Sequence, residues 1–418
     1  MNKKKIIKDP VYGFITVHSP FILEIIEHPF FQRLRRIKQL GLTDLVYPGA
    51  IHTRFNHALG AMHLMTLALD TIRSKGHNIS EEEYEAALIA VLLHDIGHGP
   101  FSHVLEKYLL NHVDHEILSI LIMEELNKEM NGRLGLSIKI FKNEYERPFF
   151  FQLVSGQMDM DRMDYLNRDC FYTGVDEGTI GGDRIIKMLN IVEDELVIEE
   201  KAIYSIENFL NARRLMYWQV YLHKTTVAVE QMLNGLILRA RKIAEKKEFL
   251  YGSPSLLFFL NNLIDTETLK SNPQALKNFL NLDDYDVWGA IKVWAHHDDK
   301  ILSDLSSRLI NRRLFKVDLT NSKAEAKDKK QIRKLLAQEL NLKESQVKYY
   351  FQSGELSNSA YMPDSGKILI LMKNSSLQDV SAAADLPNIK AISKIVKKYY
   401  LCYPKNVYLR AKLAEESR

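Results

Sequence analysis

Four residues of this chain have the types and placement to do chemistry together. His94 and Asp95 are adjacent at the end of the apolar run AALIAVLLHDIGHGPFSH, His57 lies in RFNHALGAMHLM, and Asp161 lies in QMDMDRMDYLNRD. A hydrolytic metal centre needs neutral imidazoles and carboxylates converging on a cation, with positions left open for water and a substrate oxygen. Two histidines and two carboxylates are borderline-hard donors, suited to Mn, Fe, Zn or Ni and usable by Mg, and unlike an all-oxygen calcium site. Each alone has a plainer explanation. A lone histidine under a helix is usually a satisfied core residue, an HD dipeptide occurs by chance, and Asp161 has Asp159, Asp164 and Asp169 around it as on any exposed acidic face. The three motifs together point to a site.

The residues after the HD pair add acid–base groups. Gly97, Gly99 and Pro100 should end the helix, and Ser102 is a competent N-cap for the next one. The intervening turn carries His98 and His103, and a helix N-terminus aimed at the site would favour a phosphate. Glu106 and His115 follow about one helix later, where a carboxylate can orient an imidazole for proton transfer. Two further segments carry polar groups at i, i+4 and i+8: Asp161, Tyr165 and Asp169 on one, Arg213, Tyr217 and Tyr221 on the other. Such stripes would line a groove for a ligand with phosphates at one end and a sugar at the other, Arg213 taking phosphate oxygens. Packing tyrosines at a seam give the same pattern. The cluster His296, His297, Asp298 and Asp299 reads as solvent-facing, and His52, His63, His77 and His112 receive no role.

Apolar residues at helical spacing from about residue 20 to 310, as in Leu59, Met62, Leu69 and Ile72, predict a mainly α protein. After FKVDL comes a lysine-rich stretch, NSKAEAKDKKQIRK, and then VKYYFQ and KILILMK, which read as strands, with a helix over 387–397. The expected organisation is a helical catalytic domain over 1–311 and a small α+β region over 312–418.

Composition excludes several classes. The chain has 418 residues, 46% apolar and 26% charged, enough for a substantial core without disulfides, and Cys170 and Cys402 match no zinc spacing. The longest apolar stretches, such as Ala86 to Leu93, are far short of a membrane span of about 20 residues. MNKKKIIKDP lacks the apolar core of a signal peptide, so a cytoplasmic protein is expected. A formal net charge of +3 does not favour nucleic-acid binding by charge alone. Arg33, Arg35, Arg36 and Lys38, and again Arg312, Arg313 and Lys316, cluster enough for polyphosphates, or form wet helix faces.

The chain resembles the HD-domain deoxynucleoside triphosphate triphosphohydrolases, in particular the branch that includes the vertebrate enzyme combining a sterile-alpha-motif domain with an HD domain. KDPVYGFITVH, FQRLRRIKQLG, YPGAIHTRFNHALG, LLHDIGHGPFSH, DMDRMDYLNRD, ARRLMYWQVYLHK and RRLFKV carry the resemblance, in that order, over roughly residues 8 to 316. It implies an HD core over about 50–170 and metal ligands His57, His94, Asp95 and Asp161. It implies that Arg54, His98, His103 and His115 meet the triphosphate or the attacked phosphorus, with His115 backed by Glu106, where the family commonly has aspartate. Gln39, Leu40, Asp169, Tyr217 and Tyr221 would line the sugar and base pocket, and Arg213 would bind phosphate. Histidine is usual in the vertebrate branch where Tyr217 stands. Leu40 and Tyr221 packed against the 2′ carbon would select deoxyribose.

The resemblance further implies hydrolysis of a dNTP to deoxynucleoside and inorganic triphosphate, assembly as a dimer or tetramer, and an activating nucleotide at Arg35, Arg184, Lys224, Arg312 and Lys316. On the base-reading side of that pocket the chain departs, with Glu27 for aspartate, Lys8 for asparagine and Gly181 for an acid. The residues by themselves reach only metal-assisted phosphoester hydrolysis. Two other readings stand beside it: a phosphohydrolase of another nucleotide, such as a monophosphate or an alarmone, and a nucleotide- or nucleic-acid-binding protein with an idle HD site.

Overall fold

The fold is taken from a computed structural model, which describes residues 5–102, 105, 108–111, 113–358, 361, 366–384 and 395–407. The chain is mainly α, and its buried apolar residues form one continuous core. Three helices position the site. Arg54–Ser74 opens on a capping box between Thr53 and Asn56, and Glu81–Leu93 on one between Ser80 and Glu83. Met160–Thr173 starts at Asp159, whose side chain accepts from the Arg162 amide, and stops at Gly174, whose φ of 71° takes the left-handed conformation.

Ala86 through Leu93 are all buried, so the second half of Glu81–Leu93 is apolar on every side and runs through the core. Arg54–Ser74 packs against it on one side and against Met160–Thr173 on the other. None of the described helices is long and apolar enough to cross a membrane.

Short strands join distant parts of the chain. β1 (Ile6–Asp9) and β2 (Gly13–Thr16) form an antiparallel hairpin with Ile7 opposite Ile15. A second hairpin, β3 (Leu189–Val192) and β4 (Glu195–Glu199), interrupts the region expected to be helical. β5 (Lys316–Thr320), β6 (Gln352–Asn358) and β9 (Val396–Tyr403) form an antiparallel sheet in the order β5–β9–β6. β7 (Leu369–Leu371) pairs in parallel with β4, Val197 opposite Leu369, and β8 (Leu377–Asp379) closes that sheet. Residues beyond 312 therefore complete a sheet begun at 189, and β5 packs on the Lys224–Ala244 helix.

Several local expectations change. Within VKYYFQ, Glu344–Tyr349 is a 3₁₀ helix and the strand begins only at Gln352. Tyr349, Tyr350 and Phe351 are buried consecutively, where a half-buried strand would alternate, and the Tyr350 hydroxyl donates to Asp304. The lysine-rich stretch folds as the helix Ala326–Glu339 on two anchors one turn apart, Ile332 and Leu336. KILILMK contains β7. Most of the helix expected over 387–397 lies outside the described residues, and its end, from Val396, is β9. Tyr217–Tyr221 is a π turn continuing the helix Ile203–Met216: the Leu222 amide reaches back five residues to the Tyr217 carbonyl.

Candidate metal centre

The three helices bring their histidines and acid together. His57 Nε2 lies 3.1 Å from Asp161 Oδ1, His94 Nε2 lies 3.4 Å from the same oxygen, and the two Nε2 atoms are 3.3 Å apart. Hydrogen bonding on the far side of each ring decides which nitrogen faces inward. His94 Nδ1 sits 2.6 Å from the Val91 carbonyl, which can only accept, and His57 Nδ1 sits 2.7 Å from the Asp164 carboxylate. Each Nδ1 therefore carries the proton, and two Nε2 lone pairs face one another beside a carboxylate. Lone pairs that meet this way repel unless a cation or proton sits between them, so His57, His94 and Asp161 fit a divalent metal.

Asp95 stands at the edge of this trio. Its carboxylate is 3.3 Å from both His94 Nε2 and His98 Nε2 and 3.7 Å from His57 Nε2, and it also takes the Arg54 guanidinium. Burial opposes its charge, but His94, Arg54 and His98 hold its carboxyl well below the usual range. Asp161 is held down in the same way by His94 and His57. Burial would lower the His57 imidazole, yet Asp161 and Asp164 together raise it to about 10. The same acids that would attract a divalent cation also favour a proton on the imidazoles, so metal and proton compete for Nε2.

The loop after the HD pair is fixed by buried groups, Arg33 and Asp284, that nothing in their own sequence surroundings marks for this task. The helix ends at Leu93, with His94 as its C-cap. Arg33, fully buried, donates to the carbonyls of Ile96 at 2.8 Å, His98 at 2.9 Å and Leu282 at 3.0 Å. Asp284 accepts from the amides of Phe101 and Lys38, and burial pushes its carboxyl up to about 6 despite them. Gly97 is required by contact: a Cβ there would strike the His115 carbonyl and the Ser119 amide. Phe101 and Ser102 both hold positive φ, 55° and 54°, a conformation that costs L residues free energy and recurs at functional sites.

Most of the helix that Ser102 was expected to cap lies outside the described residues. The Ser102 hydroxyl accepts from Arg54 Nε and Nη2, so it orients the arginine that reaches Asp95. His98 stacks on His115 with ring centroids 4.0 Å apart and planes 15° off parallel. His103 and Glu106 lie outside the described residues. Among the described residues the acid beside His115 is Asp114, at 3.2 Å, the N-cap of the helix His115–Glu129.

The tyrosine wall is assembled differently from the expected stripe. Tyr217 keeps its place one turn after Arg213, its amide bonding the Arg213 carbonyl, and the π turn that starts there takes Tyr221 off the i, i+4 row. Tyr221 instead donates its hydroxyl to Asp169 at 2.7 Å, and its ring meets those of Tyr217 and Tyr165 edge to face, with centroids 5.1 and 6.1 Å away. The other Asp169 oxygen is 2.7 Å from Nε2 of His52, which is itself stacked on Tyr172. His52 had no assigned role, and an isolated histidine among IHTRF offers no signal of this. Arg213 is buried and donates to Gln157 at 3.3 Å. The Gln39 amide donates to the His52 carbonyl while its side-chain Oε1 is buried without a hydrogen-bond partner among the described residues, and the neighbouring Leu40 packs half-buried against the core.

Of the residues expected at a regulatory pocket, Arg312 and Lys316 share a basic cavity of about 440 Å³ with Arg308, Arg313 and Lys405. Arg35, Arg184 and Lys224 are not in its wall: Arg35 lies over the Phe55 ring and Arg184 donates to the Lys201 carbonyl. The 296–299 cluster is also only partly as expected. Asp299 caps the Lys300–Ile310 helix, accepts from Arg239 and donates its amide to His297, a structural role.

Residues 54–168 match the HD domain, and residues 180–249 match an HD associated region. A crystal structure of a phosphohydrolase from Bacteroides thetaiotaomicron superimposes with a TM-score of 0.93 at 52% identity, covering 96% of this chain and all of that one. The chain is 31% identical to the Bacillus subtilis protein YwfO over 97% of its own length and 94% of the relative's. It is 30% identical over 67% of its length to the Dictyostelium discoideum homologue of the deoxynucleoside triphosphate triphosphohydrolase SAMHD1, covering 59% of that protein. With the histidine pair and its acid where a hydrolytic metal would sit, the chain belongs to the HD-domain phosphohydrolases, in the family that includes the dNTP triphosphohydrolases.

Proposed function

We propose that the protein hydrolyses deoxynucleoside triphosphates to deoxynucleoside and inorganic triphosphate, using a divalent metal at His57, His94, Asp95 and Asp161. The observation that carries this reading is the pair of inward-facing imidazole lone pairs beside Asp161, with cationic and tyrosine-rich walls on either side. When bound, the metal supplies Lewis-acid polarisation of a phosphoryl oxygen and a water of lowered pKa. Arg54, anchored by Ser102, offers a guanidinium next to the metal acids for phosphate oxygens. The stacked His98–His115 pair can hold or deliver a proton at the phosphate side, with His103 and Glu106 proposed as its helpers.

On the sugar side, Gln39, Leu40, Tyr165, Asp169, Arg213, Tyr217 and Tyr221 form the proposed wall. Tyr221 is tethered to Asp169, which is itself held by His52, so its ring cannot swing aside to admit a 2′-hydroxyl. That supports deoxyribose selection. The basic cavity at Arg312 and Lys316 supports an activating nucleotide in a dimer or tetramer, with Arg35, Arg184 and Lys224 supplied by rearrangement or by a second copy.

The test is product chromatography with Mn or Mg over all eight common nucleotides, singly and then in mixtures that reveal activation. Deoxynucleoside plus tripolyphosphate is expected from dNTPs alone, and His94→Ala and Asp161→Ala should each reduce turnover to background. Release of pyrophosphate or orthophosphate, or equal turnover of ribonucleotides, would overturn the assignment.

A further inference from the structure

Behind His57, on the side away from the site, lies a buried chain of charges that the proposed reaction does not use. Asp164 takes the His57 Nδ1 proton at 2.7 Å. The Arg168 guanidinium lies against the same carboxylate, Nε 2.9 Å from Oδ2 and Nη2 3.0 Å from Oδ1. Its remaining donor, Nη1, is 2.8 Å from Asp9 Oδ2, at the end of β1. Asp9 Oδ1 also accepts from the amides of Val11 and Tyr12, which closes the turn into β2. His57, Asp164 and Arg168 are wholly buried, and Asp9 is 4% exposed.

Space for this chain is made by Gly60, one helical turn after His57. Any Cβ there would collide with Asp164 Oδ1 and Arg168 Nη2. The glycine of the NHALG segment thus lets a carboxylate–guanidinium pair lie flat on the helix that presents the histidine. With His57 neutral, two carboxylates share one guanidinium, so the buried chain carries one net negative charge behind the imidazole.

We propose that Gly60, Asp164, Arg168 and Asp9 form a positioning relay that fixes the His57 tautomer and ring orientation for metal binding, so that the N-terminal β1–β2 hairpin is part of the metal site. The proposal rests on the reading that His57 holds a metal. Carboxylates behind a ligating histidine typically contribute 10–100-fold to metal affinity. Asp164→Asn leaves Arg168 paired with Asp9, so the variant replaces the charged acceptor of the imidazole proton by a neutral amide without orphaning a buried cation.

The probe is Mn(II), titrated into metal-free protein and followed by loss of the free-ion EPR signal. Asp164→Asn should weaken Mn(II) affinity by about 10–100-fold. Asp9→Asn, one link further out, should weaken it less but in the same direction. Leu336→Ala, a core truncation in a helix remote from the relay, should bind like wild type and so separates positioning from general loss of stability. If Asp164→Asn does not fold, Gly60→Ala reads the same relay by displacing its carboxylate, with the same expected loss. Wild-type affinity in Asp164→Asn or in Gly60→Ala overturns the proposal, as does an equal loss in Leu336→Ala. A wild-type protein that takes up no Mn(II) instead overturns the metal reading beneath it.

Discussion

Which nitrogen a histidine offers is settled by the partner of its other nitrogen, and at this site both partners are acceptors: the Val91 carbonyl for His94 and the Asp164 carboxylate for His57. The same logic extends to Asp169, whose two oxygens are divided between His52 and Tyr221. Removing the tether alone tests whether it shapes the sugar pocket. Tyr221→Phe keeps the ring but loses a hydrogen bond to a carboxylate, an interaction of about 1.5–3 kcal/mol. The ratio of kcat/KM for dATP over ATP, and for the other base pairs of substrates, should fall by roughly 10-fold, equivalent to about 1.4 kcal/mol. An unchanged ratio would remove Tyr221 from selectivity. Residue types and spacing made His57, His94, Asp95 and Asp161 legible because each sits in a motif. They concealed His52, Asp164 and Arg33, whose work depends on partners up to 249 positions away.

Helix Glu81–Leu93 delivers the HD pair, and its start is where pH acts on the fold. The Glu83 carboxylate accepts from the Ser80 amide at 2.7 Å, the Tyr145 hydroxyl at 2.8 Å and Arg147 at 2.8 Å. Burial alone would raise its carboxyl, but Arg147, Ser80 and Tyr145 outweigh burial and draw it down to about 2. The unfolded chain titrates near 4.3, so the unfolded state binds more protons through this range. The stabilisation is complete above that value and is lost as pH falls toward 2. Glu83→Gln should cost about 1–2 kcal/mol at pH 7, reduced from the full linkage value because solvent reaches Arg147. The gap to wild type in urea unfolding should narrow between pH 5 and pH 3, and a constant gap would assign the loss to capping geometry instead. This capping box is visible in SEEEYE as Ser80 and Glu83. The π turn at Tyr217 is not, because nothing in RRLMYWQVYL marks one residue as extra. That difference is why the tyrosine stripe was read one register too regular.

At the scale of the whole molecule, helical periodicity made the mainly α architecture readable, and it also hid the β3–β4 hairpin. In LNIVEDELVIE the turn is made by Glu193 and Asp194 at φ of 53° and 59°, without the glycine or asparagine that usually signals one. The partner of β4, Leu369–Leu371, comes some 170 residues later, and no local pattern in KILILMK names it. Both the β4–β7 pairing and the packing of β5 on Lys224–Ala244 carry the core across position 312. A chain ending at residue 311 would leave the β4 edge unpaired and expose the apolar face that Val317 covers, so it has lost part of one cooperative unit. Full-length protein should therefore unfold in a single transition with coincident near- and far-ultraviolet circular dichroism. The 1–311 fragment should lack a cooperative near-ultraviolet transition and bind a hydrophobic dye. Two separate transitions in the full chain, or a fragment that melts at the same temperature as the full chain, would show instead that the helical region stands without its C-terminal strands.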